Sequence, residues 1–329
     1  MKRSRQSARS AAILVIITLA SMCLVLSGQE AWSQTAHTTK IVVPFPAGGP
    51  SDTPARLLAE QISRAQGLTM IVENRPGANG TIGIEAVARA VPDGSTLLIA
   101  TTTFVINPHL RKVGYDPLAS FDPICNLTSS PTIIAVSSSS PYRSLADLLD
   151  AARAKPGVLT MAGVGPASTV HIAFEMLKRA ANINMTFIPY ASANLAVNAL
   201  LGEHVTSVFG PYPGAAEQLK SGKLRALATP SRTRIEALPD VPTVVESGYT
   251  ISEMDVWFGL VAPTKTPKAS LTRVAGWFTA ALNEPEVRAK LVAQGLYPVG
   301  MCGADFGAFL RKQYGEYGSA IHAANIKAE

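Results

Sequence analysis

The fold is decided by the stretch Val42-Val43-Pro44-Phe45-Pro46-Ala47-Gly48-Gly49-Pro50-Ser51-Asp52-Thr53-Pro54. Its two valines end a short apolar strand, which is followed by a glycine turn and by the first turn of a helix. Ser51 occupies the N-cap position, and Asp52 and the proline two positions later are favoured in a first helical turn. Apolar residues then recur at helical spacing up to Ile62, and Gly67 marks the helix end. The stretch therefore predicts a strand–turn–helix unit.

Such a junction is also a candidate anion site. Free backbone N–H groups and the positive end of the helix dipole point at the turn. Gly48 and Gly49 let a ligand approach the backbone itself. Most junctions of this kind only turn the chain, so the motif alone does not decide between a binding loop and a plain turn.

The N-terminus has the pattern of an export signal. Basic residues precede a largely apolar run from Ala11 to Leu26, which is shorter than the roughly 20 residues of a membrane-spanning helix. Ala31-Trp32-Ser33 offers small residues for cleavage near Ser33, so we expect a signal peptide over residues 1–33 and a periplasmic mature protein. An uncleaved anchor is the alternative, because the cleavage site is not Ala-x-Ala. Cys23 lies inside the apolar run after Met22, which argues against a lipoprotein.

Charge and hydropathy exclude two other classes of protein. The predicted leader holds four of the 29 basic residues and one of the 23 acidic residues, so residues 34–329 carry a net charge of about +3. They contain no run of Lys or Arg, which excludes the basic patch of a nucleic-acid-binding protein. They also contain no second apolar stretch long enough to span a bilayer.

Two cysteines, Cys125 and Cys302, lie in the mature part of the chain. In an oxidising compartment such a pair can form a disulfide. A protein of this size does not need one, and the two residues stand far apart in the sequence. Two buried free thiols are therefore the default interpretation, with a bridge as the alternative.

Strands and helices alternate along almost the whole mature chain, which favours an α/β fold. Short apolar runs predict strands at 41–43, 70–72, 96–100, 133–136, 159–162, 185–188, 205–209, 224–229 and 256–262. Helical spacing and capping signals predict helices at 52–65, 82–90, 145–152, 169–181, 195–201, 214–220, 269–282, 284–294 and 304–324.

The alternation is interrupted after the strand at 133–136, where Ser137–Ser140 and Pro141 break the pattern. A return to the first sheet is expected near 256–262. We therefore expect a discontinuous first lobe, residues 34–137 and 256–329, with a second lobe, residues 138–255, inserted into it. Two strands would join the lobes.

Several blocks of this sequence resemble the Bug-type solute receptors, the extracytoplasmic binding proteins of tripartite tricarboxylate transporters. The opening signature of that family is similar to Pro44–Asp52 followed by Ala55-Arg56. Later blocks follow in family order: Val72–Gly80, Pro92-Asp93-Gly94, Gly163-Val164-Gly165 with His171, Ile188-Pro189-Tyr190, Leu201-Gly202, Arg225–Ala228, Leu238–Gly248 and Trp257–Pro263. They span essentially the whole mature chain, which makes the resemblance far more specific than any single glycine motif.

The resemblance implies an α/β, two-lobed type II periplasmic-binding-protein fold with a discontinuous first lobe and a hinge of two strands. It implies a small carboxylate ligand, met by backbone amides of the first-lobe loops, and membrane permease subunits as partners. No cofactor, no metal and no catalysis are expected. We expect a monomer.

The candidate ligand-binding residues follow from helix starts and strand ends. They are Ala47, Gly48, Gly49, Ser51, Asp52, Asn79, Gly80, Thr81, Thr101, Thr102, Ser168, Thr169, Tyr190, Ala191 and Ser192. The Asp52 carboxylate has two interpretations: it favours the positive helix end, or it orients water or an amine of the ligand. Trp257 and Phe258 are expected to pack at the hinge rather than to stack on the ligand.

Two departures from the family pattern bear on the ligand. After Tyr190 the family commonly has Lys-Gly and a further Pro, whereas this chain has the neutral residues 191–194. After Leu201-Gly202 the family commonly has Gly-Gln-Val-Asp, whereas Glu203-His204-Val205-Thr206 stands here. The second-lobe half of the site is therefore less charged than usual, which puts the typical dicarboxylate ligand in doubt.

Two other functions remain open from the residues. A ligand sensor that docks a signalling receptor would share the fold. A periplasmic hydrolase would use Ser168 and His171, although no Gly-x-Ser-x-Gly elbow and no orienting acid accompany them. Ser168 replaces the third glycine of the fingerprint that begins at Gly163, which argues against a dinucleotide site.

Overall fold

The computed structural model describes residues 38–165, 168–251 and 253–327. The predicted signal peptide lies outside these ranges. Within them, no helix is both long enough and apolar enough to cross a membrane.

The strands and helices of the described ranges alternate much as the sequence predicts. The strands are Thr38–Val43 (β1), Thr69–Asn74 (β2), Thr96–Thr101 (β3), Phe121–Ser130 (β4), Thr132–Ser137 (β5), Thr160–Val164 (β6), Thr186–Tyr190 (β7), Ser207–Pro211 (β8), Leu224–Ala228 (β9), Val256–Pro263 (β10) and Tyr297–Cys302 (β11). The helices are Asp52–Gln66 (α1), Thr81–Ala88 (α2), Thr102–Leu110 (α3), Leu145–Ala154 (α4), Thr169–Ala180 (α5), Ala193–Leu201 (α6), Ala216–Lys220 (α7), Lys268–Asn283 (α8), Pro285–Ala293 (α9) and Ala304–Ala324 (α10). Three of these elements, β4, α3 and β11, were not predicted.

The strands form two mixed sheets. The first has the spatial order β11-β4-β10-β3-β1-β2, and the second has the order β7-β6-β8-β5-β9. Parallel pairing joins β1 to its neighbours β2 and β3, and β6 to β7 and β8. The remaining pairs, which involve β4, β5, β9, β10 and β11, are antiparallel. In each sheet, the parallel strands direct their carboxyl ends and the helices that follow to one edge.

Helix α1 shows how the opening stretch folds. Ala55, Leu58 and Ile62 lie on one face of the helix and are at most 1% exposed. Gly67 ends the helix in the left-handed conformation, φ 64°, and donates its N–H to the Ser63 carbonyl. The predicted strand–turn–helix unit is thus confirmed.

The strand β10 runs through the middle of the first sheet, between β3 and β4. A Cβ at Gly259 would lie 2.4 Å from the Phe306 ring of α10, so only glycine lets that ring pack against the strand. The adjacent Trp257 is 1% exposed and packs edge-on against Phe306 and Phe309. The predicted packing role of Trp257 is therefore confirmed.

The chain crosses between the sheets at two places, and a buried polar cluster joins the crossings. Thr132 begins β5 directly after β4, and it donates its hydroxyl to the Met254 carbonyl, 3.2 Å away, just before β10. Thr229 donates to the Thr132 carbonyl at 2.8 Å, and Ser231 donates to the Asp255 carboxylate at 2.5 Å. We call Thr132, Thr229, Ser231 and Asp255 the crossover cluster.

The pairing of β5 corrects the boundary predicted after residue 137. The strand Thr132–Ser137 pairs with β8 and β9 of the second sheet, so the first crossing falls at Pro131. The break at Ser137–Ser140 is a turn within the second sheet. A turn and a change of sheet give the same signal in sequence, because both interrupt an apolar run. Movement of the two halves as separate lobes stays a prediction.

The two cysteines are joined, so the expectation of two free thiols is wrong. Cys302 of β11 lies directly opposite Cys125 of β4 in the antiparallel pair, and their Cα atoms are 3.9 Å apart. The distance in sequence did not matter, because β11 returns to the sheet edge beside β4. The bridge fastens that edge strand.

Candidate ligand-binding cleft

Three helix N-termini meet where the two sheets face each other. Helix α1 follows β1 through the glycine loop, α3 follows β3 directly, and α5 follows β6. Between them lies a cavity of about 570 Å³, which we call the helix-start cleft. Its lining residues are Phe45, Pro46, Ala47, Gly48, Gly49, Pro50, Ser51, Thr101, Thr102, Thr103, Val164, Ser168, Thr169, Val170, Pro211, Val256 and Phe258.

The Asp52 side chain fixes the glycine loop before α1 by hydrogen bonds. The Asp52 carboxylate is buried and accepts from the Gly48 N–H at 2.8 Å, from Asn74 Nδ2 at 2.8 Å and from Arg56 Nε at 2.9 Å. Asn74 also donates to the Phe45 carbonyl at 3.1 Å. Burial alone would raise the pKa of this carboxyl, but the three donors and the charge of Arg56 outweigh it, and the pKa lies below its ordinary value.

Asp52 therefore shapes the loop and does not line the cleft. All three of its partners belong to the protein, and the side chain is 3% exposed. This geometry goes beyond both interpretations drawn from the sequence. The carboxylate sits at the helix start, as the dipole favours, and its specific task is to fix Gly48 and the strand-end amide of β2.

The start of α3 lines the cleft with three threonines. Thr101 occupies the N-cap position without a side-chain bond to the helix backbone. Its hydroxyl instead pairs with the Thr103 hydroxyl at 3.0 Å. The first N–H groups of α3 thus have no side-chain cap, which leaves this helix start suited to an anion.

The start of α5 brings the second sheet to the same place. Ser168 caps the helix by accepting from the His171 backbone N–H at 3.2 Å. Thr169 donates its hydroxyl to the Thr102 hydroxyl at 2.8 Å, and both residues are buried. This bond joins α5 of the second sheet to α3 of the first.

Eight of the fifteen predicted site residues line the cleft, and seven do not. Those in the lining are Ala47, Gly48, Gly49, Ser51, Thr101, Thr102, Ser168 and Thr169. Those outside it are Asp52, Asn79, Gly80, Thr81, Tyr190, Ala191 and Ser192. Ligand contact stays a prediction for all fifteen.

The loop before α2 lies behind the cleft. A Cβ at Gly80 would lie 3.3 Å from the Phe45 ring, which separates this loop from the cavity. The Asn79 amide donates to Asn107 Oδ1 at 3.1 Å, and Asn107 in turn donates to the Asn79 carbonyl and to the Thr81 hydroxyl. These polar groups therefore bind α3 to α2.

The loop after β7 has structural partners as well. The Tyr190 carbonyl accepts from the Gly165 N–H at 2.9 Å, and Ser192 caps α6 by accepting from the Leu195 N–H. Ala191 lies between them. In this conformation the loop holds Gly165 at the end of β6 and begins α6.

The apolar lining was missed from the sequence. Phe258 was expected at the hinge, yet it lines the cleft together with Phe45, Val256 and Val170. The alternation of β10 places Trp257 and Phe258 on opposite faces of the sheet, so one of them had to face the helix starts, but the alternation does not say which.

The described contacts of Ser168 and His171 are those of a helix cap and a packed ring. The Ser168 hydroxyl oxygen accepts from the His171 backbone, and the His171 ring stacks on Phe187 with ring centres 4.4 Å apart. Burial lowers the pKa of this imidazole. The pair therefore serves as a helix cap and a packed ring.

The described lining carries no charged side chain. Its polar groups are hydroxyls and backbone amides at helix starts. Such a set binds a small anion through N–H donors and helix dipoles, as phosphate and carboxylate sites at helix N-termini do.

Comparison with known proteins places this chain in a family. Residues 54–326 match the model of the family described as "Tripartite tricarboxylate transporter family receptor". The structure of the periplasmic binding protein BugD is similar at 32% identity and a TM-score of 0.69, over 89% of this chain and 99% of that one. This similarity confirms the predicted periplasmic-binding-protein fold.

Two further solved structures hold ligands. An R. palustris protein with adipate is 29% identical, with a TM-score of 0.72 over 88% of this chain and 98% of that one. MatC from Rhodopseudomonas palustris, with bound malate, is 26% identical, with a TM-score of 0.67 over 86% of this chain and 98% of that one. From the family match and these structures together, the chain belongs to the receptors of the tripartite tricarboxylate transporter family.

Proposed function

We propose that this receptor holds a small organic carboxylate in the helix-start cleft and delivers it to a membrane permease. The observation that carries the proposal is the meeting of three helix N-termini in one cavity whose described lining has no charged side chain. Backbone N–H groups with the positive helix ends behind them favour a compact anion. The adipate and malate of the two related structures are carboxylates.

The cleft is formed from both sheets, and this supports binding by closure. Ala47–Ser51, Thr101–Thr103 and Phe258 come from the first sheet's half, and Ser168–Val170 with Val164 come from the second. A ligand that contacts both halves stabilises the closed arrangement over the open one. The two connections near Thr132 and Asp255 are where the backbone would bend.

A receptor, rather than an enzyme, is the function that the cleft supports. No nucleophile with an adjacent base lies among the described lining residues, because that lining has hydroxyls but no histidine, lysine or carboxylate. We propose that the protein works in the periplasm after loss of its leader and acts as a monomer. A ligand sensor for a signalling receptor would use the same cleft, and no contact favours it over transport.

Calorimetric titration tests this function. The mature protein, unfolded and refolded to remove bound ligand, would be titrated with dicarboxylates, tricarboxylates, amino acids and aromatic acids. One-to-one binding of a carboxylate, with the ligand recovered unchanged, is expected. A new product in the recovered ligand that disappears in Ser168→Ala would overturn the receptor in favour of the hydrolase.

Absence of binding across the whole panel would contradict the carboxylate proposal. Ser221→Ala is the control for Ser168→Ala. Ser221 is a surface serine that accepts no helix N–H and donates to the Gln218 carbonyl. This variant should bind as the unmodified protein does.

A further inference from the structure

Helix α3 carries a buried amide at a position that its surroundings would suit to an apolar side chain. Asn107 follows Phe104, Val105 and Ile106, and all four residues are at most 1% exposed. A buried amide is costly unless its hydrogen-bonding groups are paired. Asparagine also ranks low among helix formers. The amide therefore requires partners outside its own helix.

Its partners lie in the turn that precedes α2. The Asn107 amide nitrogen donates to the Asn79 carbonyl at 3.0 Å and to the Thr81 hydroxyl at 3.3 Å. The Asn79 amide nitrogen donates to Asn107 Oδ1 at 3.1 Å, so the two asparagines bond to each other reciprocally. These three bonds fix the middle of α3 against the start of α2.

The turn has a backbone conformation that few sequences adopt. Gly77, Ala78, Asn79 and Gly80 have consecutive positive φ angles of 131°, 47°, 54° and 90°. The left-handed region is unfavourable for a residue with a Cβ, although asparagine tolerates it better than alanine. Such a segment persists only where its surroundings hold it. The bonds between Asn107 and Asn79 are contacts of that kind.

Helix α3 needs contacts from outside because its own hydrogen bonding is incomplete. Pro108 has no N–H, so the Phe104 carbonyl lacks the usual bond from four residues on and accepts from the Tyr115 hydroxyl at 3.1 Å instead. No side chain caps the first turn either. Short helices are marginal on their own. The position of this nine-residue helix is therefore set by its neighbours.

We infer that Asn107 is a positioning residue, which sets the place of the α3 start in the helix-start cleft by tying the middle of the helix to the left-handed turn. Asn107 itself does not line the cleft. It stands five residues after Thr102, about 7.5 Å along the helix axis, so a shift of the helix at Asn107 moves the cleft threonines with it. The inference rests on the proposed function, because it needs a ligand at these helix starts.

Asn107→Leu removes the three bonds and keeps about the size of the side chain. Calorimetry on the refolded mature protein would use the carboxylates of the panel, adipate and malate among them. We expect affinity to fall about 5-fold or more. Leu148→Ala is the control, because Leu148 is fully buried in α4 and outside the cleft, and its truncation opens a cavity there. It should lower the melting temperature and leave affinity within about 2-fold.

Asn107→Asp separates hydrogen bonding from packing. An ionised carboxylate still accepts from the Asn79 amide but has no proton to donate to the Asn79 carbonyl, whereas a protonated carboxyl has one. Burial favours the protonated form, so the new group takes up its proton as the pH falls from 8 to 5. We expect the ratio of unmodified to variant affinity to be about 5 or more at pH 8 and below about 2 at pH 5.

The ratio removes two other sources of pH dependence. The ligand's own protonation is the same for both proteins and cancels. The neighbouring titratable groups are also present in both: Glu85, His109, Arg111, Tyr115 and Tyr314. The change in the ratio therefore reports the new carboxyl together with its coupling to these groups.

An Asn107→Leu variant that melts lower but binds as the unmodified protein does would overturn the inference. An Asn107→Asp variant with the same ratio at pH 5 and pH 8 would do so as well. If neither variant folds, Asn79→Gly decides, because glycine adopts a φ of 54° freely and only the bond from the Asn79 amide is lost. It should weaken binding about 2- to 3-fold, and unchanged affinity would contradict the inference. Silence of the unmodified protein with every acid would overturn the proposed function and this inference with it.

Discussion

At the scale of single residues, Gly48 controls the shape of the glycine loop. Its φ of 77° is one that residues with a side chain rarely adopt, and a Cβ at this position would have no other atom within 4 Å. Gly48→Ala should therefore act only through the backbone. It should destabilise the left-handed conformation at this position by about 1 kcal/mol and shift the glycine loop away from it. We expect carboxylate affinity to fall about 5- to 10-fold by calorimetry.

Gly222→Ala is the matched control. Gly222 has a φ of 72°, and a Cβ there also meets nothing within 4 Å, but it lies in the turn after α7 and outside the cleft. It should lose similar thermal stability and keep its affinity. Equal losses of affinity in both variants would show that the effect is general destabilisation.

The residue scale also shows where sequence reasoning succeeds and fails. The glycines and hydroxyls of the helix starts were predictable because turn and cap chemistry is local. The task of Asp52 was not, because two of its partners, Asn74 and Arg56, reach it across the end of β2 and along α1. The lining role of Phe258 depended on which face of β10 is turned to the helices, and a fully buried strand does not reveal this in sequence.

At the scale of elements, helix α3 was missed for a physical reason. Its first residues are a run of threonine, a β-branched residue that favours strands, and Pro108 lies inside it. Phe104, Val105, Ile106 and Asn107 are all at most 1% exposed, so no polar face gives the helix a recognisable period. Tertiary packing against α2 and β3 decides its conformation, whereas the amphipathic α1 and the capping box of α4 could be predicted locally.

The bond between α3 and α5 supports a prediction about closure. Thr169→Val removes the hydroxyl that donates to Thr102 from the second sheet's half and keeps the side-chain shape. The hydrogen bond should stabilise the arrangement in which the starts of α3 and α5 are in contact by about 1 kcal/mol. If ligand binding favours that arrangement, affinity should fall about 5-fold by calorimetry.

Thr206→Val controls for loss of a threonine hydroxyl. Thr206 bonds to the backbone N–H and the hydroxyl of Thr160, and both residues belong to the second sheet's half. This variant should lower the melting temperature of the protein and leave its affinity for the ligand unchanged. A Thr169→Val variant that loses stability but keeps full affinity would show that the bond is not coupled to binding.

At the scale of the whole molecule, the two-sheet α/β plan was predictable and the exact crossing was not. Alternating apolar runs and helical periods indicated the layers. The crossing at Pro131 and the disulfide depend on which strands become neighbours, and pairing between distant strands leaves no local trace. The break in the alternation after residues 133–136 suggested the discontinuous plan, and the family resemblance implied the same plan.

The crossover cluster makes the stability of the whole molecule depend on pH through Asp255. Burial raises the pKa of its carboxyl to about 7, against hydrogen bonds from Ser231 and Thr132 that lower it. The unfolded carboxyl titrates near 4, so between about pH 4 and pH 7 the folded state holds a proton that the unfolded state has lost, and stability falls as the pH rises through this window.

The variant Asp255→Asn keeps an acceptor for Ser231 and removes the charge. It should therefore make the melting temperature less dependent on pH between pH 4 and pH 7, and raise the melting temperature at pH 8 by on the order of 5 °C. Glu253, whose pKa burial also raises, stays in both proteins, and its negative charge is one of the causes that raise the pKa of Asp255, so the difference between the two melting curves reports the removal of Asp255 together with its coupling to Glu253. Melting temperatures measured from pH 4.5 to 8 check this, with the exposed Asp240→Asn as control, and parallel curves for Asp255→Asn and the unmodified protein would show that Asp255 is ionised throughout.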